Sequence, residues 1–415
     1  MNQVPAKSLF QPDILTDPFD FYEEQRARNP VFKDEASGTY VVLDYDLIAE
    51  ATGRLDDFSN KFNAQLSGGS SQEELDNDEE VQSIISQGWP QVDTLLTADQ
   101  PRHTRFRKLV NLAFSAPKVN KLEDRIRAMS TELIDALIDK GECEFMSDYA
   151  IPLPVNTIAW QLGLDRADTG TIKRWTNAFV DRLSGMMSRE RQLETEREVL
   201  DYQHTLKANM DDRRKEPRDD ILSDLVNAQV DDERPLDDAE SLSIVQQLMV
   251  AGNETTTAAL GEGVRLFATN PDQFKLIQED PSLIPNAVEE VLRMSSGSSG
   301  IWRVMHRDAD LGGVTLPKGA MVMMRYHAAN RDPKQFENPN SFHVTRKNAR
   351  THLAFGRGIH MCVGNMLTRK EMTVSFQEFA KRVDNIRIKE GSELTYPPNM
   401  MLRGLASLPL EFDKK

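Results

Sequence analysis

Cysteine is almost absent from this chain, with only Cys143 and Cys362 among 415 residues. Two thiols cannot build a disulfide framework, and such sparing use fits a reducing compartment. Long apolar runs are missing too. Hydrophobic residues make up 39%, and no stretch reaches the roughly 18 to 20 apolar residues of a membrane span. The segment Met1-Asn2-Gln3-Val4-Pro5-Ala6-Lys7 lacks the charged-then-apolar pattern of a secretory signal. The expectation is a soluble cytoplasmic protein with no membrane partner. Positive charge is in deficit, the net charge being -16, which argues against nonspecific nucleic-acid binding. There is no internal repeat and no low-complexity tract.

What the chain does contain is length and helical pattern. At 415 residues it can bury a large core around a deep pocket, as one large domain or two joined lobes. Pro18-Phe19-Asp20-Phe21-Tyr22-Glu23-Glu24-Gln25-Arg26 is an amphipathic helix, and Thr39-Tyr40-Val41-Val42-Leu43 is a strand. Residues 66–88 are polar and acidic and read as a mobile surface loop, either a solvated insertion or a lid over a pocket. Residues 118–228 are mainly helical. Ile126, Met129, Leu133 and Leu137 mark one helix, Leu153 to Leu162 another, and Trp175, Phe179 and Leu183 a third. A long charged helix follows, until Lys215-Glu216-Pro217 breaks the pattern. Strand and turn text dominates from about residue 300, and Met400 to Phe412 reads as a final hairpin.

Four stretches carry candidate chemistry. His103 and Arg107 share one face of a helix opened by Pro101. Together they could clamp an anionic ligand group, although a basic helix start is also simply a solvated surface. Asp237 and Glu240 form a capping box at the start of the longest helix, which Asn270-Pro271 stops. At about 1.5 Å per residue this helix crosses about 50 Å, which makes it central. In its middle, Ala251-Gly252-Asn253-Glu254-Thr255-Thr256-Thr257 is poor helix material, because glycine costs about 1 kcal/mol against alanine and threonines can bond back to carbonyls. A local opening of the ladder is expected there. A threonine hydroxyl beside a carboxylate could pass protons; a packing glycine with a solvated glutamate is the other reading. Glu290 and Arg293 stand three residues apart on one helix face.

The fourth stretch is Phe355-Gly356-Arg357-Gly358-Ile359-His360-Met361-Cys362-Val363-Gly364, followed directly by helical text. A thiolate just before a helix faces the positive end of its dipole, a metal-ligand environment. Gly356 and Gly358 permit positive φ and close approach of a flat ligand. Cys143, among acidic neighbours that raise its pKa, reads as structural.

Taken in order, Ala-Gly-x-Glu-Thr-Thr, Glu-x-x-Arg and Phe-Gly-x-Gly-x-His-x-Cys-x-Gly make the chain resemble the cytochrome P450 superfamily of haem-thiolate monooxygenases, in its soluble bacterial form, over nearly the whole length. The resemblance implies one domain over residues 1–415, mainly α with smaller β sheets: a triangular helix-rich body with a long central helix and a minor β-rich lobe. The β-rich parts would fall at about residues 30–60, 300–350 and 385–415, the helix-rich parts at about 90–300 and 350–384. It implies haem b with Cys362 as the axial thiolate, whose electron donation favours O–O cleavage. Phe355 would pack beside the sulfur, and Gly356 would let the loop approach the ring. His103, Arg107, Arg303 and His360 match the positions that neutralise the haem propionates. Glu290, Arg293 and Arg346 resemble the buried charge triad behind the haem. Gly252 would leave room for O2, Thr255 would hydrogen-bond the oxygen being activated, and Glu254 would relay protons. Glu254 stands where aspartate is more usual, which keeps the carboxylate but adds a methylene.

By family position the substrate pocket draws on Val250, Ala251, Phe179, Ile301, Trp302, Met400 and Met401, apolar side chains suited to a terpenoid, steroid or aromatic guest. Electrons would come from NAD(P)H through a reductase and a ferredoxin docked on Arg102, Arg105, Lys108, Arg350, Arg357, Arg369 and Lys370. A peroxide-driven peroxygenase and a noncatalytic haem-binding sensor or carrier are the alternatives. For a zinc or redox role, Cys362 has only Cys143 as a second thiol and no histidine cluster.

Overall fold

The computed structural model describes residues 7–62, 78–164, 169–184, 187–229 and 233–415. It is mainly helical with small sheets, and the chain divides into two compact units. The first comprises residues 1–59, 121–153 and 254–415, and the second residues 60–120 and 154–253.

Among the described residues the ten strands belong to the first unit: β1 (Val31–Lys33), β2 (Tyr40–Val42), β3 (Phe58–Ser59), β4 (Glu142–Glu144), β5 (Ile301–Met305), β6 (Ala309–Leu311), β7 (Val314–Leu316), β8 (Met321–Met324), β9 (Val383–Ile388) and β10 (Pro409–Lys414). Five form one sheet in the order β1-β2-β8-β5-β3, with β2 and β8 parallel and the other neighbours antiparallel. Val31, Val42, Val322 and Met324 from this sheet are buried with Ile48, Phe336 and Leu353 in one apolar cluster. The antiparallel pair β6–β7 turns at Gly312 and Gly313, both at positive φ. The tail departs from the expected hairpin. β10 pairs with β9 and with β4, and Leu402 makes an isolated bridge to Ser298. The pairing partners lie far away in the chain, where local alternation gives no hint of them.

Helix Glu123–Ile138 packs on helix Asn365–Arg382 through Arg127, which donates to Glu378 and Gln377 at 2.7 and 2.8 Å. A π-helical turn at Met146–Ala150, unforeseen in the sequence, brings the Tyr149 hydroxyl between Ser130 (2.6 Å) and Ser375 (2.8 Å). Tyr149 also sits edge-on to Phe379, 4.9 Å between ring centroids.

In the second unit, helices Thr169–Ser184 and Arg189–Lys215 pack together, with Tyr202 edge-on to both Trp175 and Phe179. The stretch expected as a polar loop is partly helical: Glu79–Ile85, capped by Asp78, lays Val81 and Ile84 against Leu193. The rest of that loop, residues 66–77, lies outside the described residues.

The longest helix is Asp238–Thr269. Its capping box is formed, with Glu240 N–H donating to Asp237 at 2.9 Å and Asp237 N–H donating to Glu240 at 3.1 Å. No break interrupts it at Gly252 to Thr257, against expectation. The reason is where the hydroxyls go: Thr257 donates to the Ala150 carbonyl at 3.0 Å and Thr256 pairs with Thr368 at 3.2 Å. These hydroxyls satisfy neighbouring elements and leave their own helix intact.

Candidate active site

The cysteine loop belongs to the first unit and is closed on itself. Cys362 N–H donates to the Phe355 carbonyl at 2.8 Å and Gly356 N–H to Leu353 at 2.9 Å. Gly356 has φ +66° and a Cβ there would lie 3.1 Å from the Tyr326 hydroxyl; Gly358 has φ +74° and its Cβ would lie 3.0 Å from the Thr52 carbonyl. Both positions therefore combine left-handed backbone with close packing, which glycine alone meets without strain. Cys362 is half-buried, two residues before Gly364, which caps helix Asn365–Arg382 without a side-chain bond.

Behind the loop, the Phe355 ring carries the Arg369 guanidinium 4.5 Å from its centroid and the His352 ring at 5.7 Å. Both of these side chains grip Glu289, His352 at 3.1 Å and Arg369 at 2.7 and 3.1 Å. Burial pushes the Glu289 carboxyl up, but His352 and Arg369 outweigh it and hold it down at about 2. His352 is itself lowered, by burial above all, with Glu289 opposing.

The next residue along helix Ile284–Ser295 serves a different set. Glu290 accepts from Arg293 at 2.7 and 2.8 Å, from Arg346 at 2.9 Å and from the His343 N–H at 3.1 Å. The structure thus brings Glu290, Arg293 and Arg346 together. Arg303 on β5 is buried, donates to the Trp302 carbonyl at 2.7 Å, and its charge is felt at Tyr326, the side chain packed on Gly356. His360 is half-buried at the end of the Gly358–His360 turn.

The half of the central helix from Glu254 on belongs to this unit, with Glu254 and Thr255 half-buried. Gly297, φ +23°, packs flush on Thr255: its Cβ would lie 2.7 Å from the Thr255 carbonyl oxygen. The bend at residues 296–300 is held by Met401, whose carbonyl accepts from Ser299 N–H at 2.7 Å, and by Arg403 N–H, which donates to Gly297 at 3.2 Å. Ile301 and Met401, both half-buried, therefore stand beside the bend that meets Thr255, with Met400 more exposed. Trp302 instead stacks on Phe10, 5.9 Å between centroids.

The remaining predicted site residues are in the second unit. His103 is buried on helix Arg102–Ala113, and burial, then repulsion from Arg107, pushes its imidazole down to about 4. Arg107 donates to Asn111 at 2.9 Å. Val250 and Gly252 are half-buried and Ala251 exposed; a Cβ at Gly252 would meet Ile158 at an ordinary 3.5 Å. Phe179 is enclosed against Tyr202. Of the expected docking cations, Arg105 is drawn into a pair with Glu240 at 3.0 Å, Arg369 into Glu289, and Lys370 into Glu123 at 2.5 Å. Arg350 and Arg357 are exposed, Arg350 lying 4.0 Å from Glu289.

The sequence profile of cytochrome P450 matches residues 171–401, more than half of the chain. The chain belongs to the cytochrome P450 family. A steroid C26-monooxygenase of Mycobacterium tuberculosis is 33% identical over 94% of this chain and 92% of its own. A 6-deoxyerythronolide B hydroxylase of Saccharopolyspora erythraea is 36% identical over 76% of this chain and 77% of its own. The solved structure of cytochrome P450 CYP109Q5 from Chondromyces apiculatus superposes with a TM-score of 0.85 at 30% identity, covering 99% of this chain and 98% of that one.

This P450 is a monooxygenase, and its family carries haem b ligated by a cysteine thiolate. The donor set fits such a group. Cys143, paired through β4 with Leu410, has its thiol pushed up to about 12 by burial and then by Asp148 and Glu144, whereas Cys362 stands at a helix start in a glycine-lined loop. Among the described residues no helix is long and apolar enough to cross a membrane. Sequence reading missed Glu289 and His352. The available signal was the doubled carboxylate Glu289-Glu290 and a histidine three residues before Phe355.

Proposed function

We propose that Cys362 is the haem ligand of this P450, that Thr255 and Glu254 handle protons on the opposite side, and that the substrate is a hydrophobic terpenoid, steroid or aromatic molecule. The single observation that carries the reading is the closed glycine loop ending in a sulfur at the start of helix Asn365–Arg382. When bound, the haem supplies O2 activation, and a thiolate ligand favours O–O cleavage. The work of the chain is placement. Arg303 and Arg107 would neutralise the propionates, His103 and His360 would donate hydrogen bonds to them, and the Glu290–Arg293–Arg346 triad would hold the chain behind the loop. The Thr255 hydroxyl would donate a hydrogen bond where oxygen is activated, while Glu254 would pass solvent protons to it. Gly252 would leave space at that point.

The bend at 296–300, with Ile301 and Met401, would meet the guest near Thr255. By family position Val250, Ala251, Phe179, Trp302 and Met400 would complete the pocket; the Trp302 ring stacks on Phe10 and the Phe179 ring packs edge-on to Tyr202. The names of relatives that act on a steroid and on 6-deoxyerythronolide B support a bulky apolar guest. Electrons would arrive from NAD(P)H through a cytoplasmic ferredoxin docked through exposed Arg357 and Arg350, the latter 4.0 Å from Glu289. Arg105, committed to Glu240, is removed from that surface.

The test is to screen steroids, terpenoids and alkylated aromatics for a shift of the ferric haem spectrum, then to turn over the best binder under 18O2. One labelled oxygen atom in the product supports a monooxygenase of this substrate class. Tight binders that yield no oxygenated product would favour a sensor or carrier. Turnover with peroxide but not with a ferredoxin would favour a peroxygenase.

A further inference from the structure

Resting on the reading of Cys362 as haem ligand, we infer that Glu289 is a positioning residue that holds both ends of the cysteine loop and sets the charge beside its Phe355 ring. Besides a 4.0 Å approach from the largely exposed Arg350, this buried carboxylate sends out two arms. In the first, Glu289 accepts from His352 Nε2 at 3.1 Å, and His352 Nδ1 accepts from the Ala354 N–H at 3.1 Å. That second bond fixes the tautomer, so Nε2 carries the proton, and it anchors the residue before Phe355. In the second arm, Arg369 Nε and Nη2 donate to Glu289 at 2.7 and 3.1 Å, and Arg369 Nη1 donates to Asn365 Oδ1 at 2.7 Å. Asn365 Nδ2 then donates to the Cys362 carbonyl at 2.6 Å. The bond from Cys362 N–H to the Phe355 carbonyl, 2.8 Å, closes the ring between the two arms.

The charges matter as much as the geometry. Arg369 lies 4.5 Å from the centroid of Phe355, and Glu289 neutralises it in a bidentate pair whose side chains are 24% and 8% exposed. Little solvent screens such a pair, so removal of one partner exposes the loop to the charge of the other. A positive charge favours the reduced, more negative haem, and a negative charge favours the oxidised one. Glu290, one residue on, bonds Arg293 and Arg346 and does not share this task. The neighbouring carboxylates divide the work: one holds the loop, and the other the chain behind it.

The experiment measures the reduction potential of the purified holoenzyme by titration with soluble mediators, so that docking of a protein partner does not enter. Glu289→Gln, which strands the Arg369 charge, is expected to shift the potential upward. Arg369→Gln, which strands the Glu289 charge, is expected to shift it downward. The double variant should return toward wild type. Single shifts of the same sign, no shift, or a double variant no nearer wild type would overturn the inference. Should Glu289→Gln fail to retain haem, Arg369→Gln and the double variant still carry the sign test. A wild-type protein without the thiolate signature in its reduced carbon monoxide spectrum would defeat the Cys362 reading itself. A normal signature with unmoved potentials would defeat only the role of Glu289.

Discussion

Replacing Glu290 by glutamine changes one atom type in the most enclosed charge cluster of the first unit. The side chains of Glu290 and Arg293 are 0% exposed and that of Arg346 is 7% exposed. Glu290 receives three guanidinium N–H bonds and one backbone N–H. Glutamine keeps the volume but removes the charge and turns a donor toward donors. Breaking a buried pair in this way costs about 3 to 5 kcal/mol, because the partner guanidiniums stay buried without compensation. For 415 residues, with an unfolding entropy of about 2.1 cal/mol/K per residue, the melting temperature should fall by about 3 to 6 °C. Arg387→Gln is the control. Its pair with Glu411 has side chains 52% and 33% exposed, so solvent screening limits the loss to about 0 to 1 kcal/mol, or about 1 °C at most. Thermal unfolding followed by circular dichroism, with haem absorbance recorded in parallel, separates the two. A Glu290→Gln melting point within about 1 °C of wild type would refute the claim that this buried charge matters.

Other outcomes follow from the same contacts. Glu289, held at about 2 against 4.5 for an ordinary glutamate, binds fewer protons folded than unfolded, so its contribution is complete above about 4.5 and is lost as pH falls toward about 2; wild type should lose melting temperature more steeply in that window than Glu289→Gln, and parallel slopes would count against the pair. Gly297→Ala should cost about 1 to 3 kcal/mol through its contact with the Thr255 carbonyl and weaken binding of apolar guests, whereas Gly252→Ala, with ordinary contacts to Ile158, should keep or gain stability; equal melting temperatures would contradict this. Arg105→Glu should destabilise the protein through loss of its Glu240 pair, while Arg357→Glu should leave melting unchanged and slow reduction by an acidic ferredoxin at low salt, as stopped-flow measurements will show. Thr255→Ala should bind guests normally yet release more peroxide per electron consumed, and unchanged coupling would argue against the proton role.

Much of this was legible in the chain because the signals are local. The capping box at Asp237 and Glu240, the glycine spacing at Gly356 and Gly358, and Glu290 with Arg293 on one helix face all depend on residues within a turn of each other. The uninterrupted central helix was not legible, since only the positions of Ala150 and Thr368 show where the Thr256 and Thr257 hydroxyls go. Glu289 was hidden by its neighbour: a doubled glutamate usually marks a solvated face, but here residues 287–295 are buried all round, so each carboxylate needed its own partners. The pairing of β10 with β9 and β4 depends on chain segments brought together only by the fold.

The most direct test of Cys362 as thiolate ligand is the absorption spectrum of the reduced carbon monoxide complex of wild type and Cys362→Ala. The expected result is a strongly red-shifted main band in wild type that is lost in the variant. An unshifted band in wild type, or a red-shifted band that survives in Cys362→Ala, would contradict the assignment.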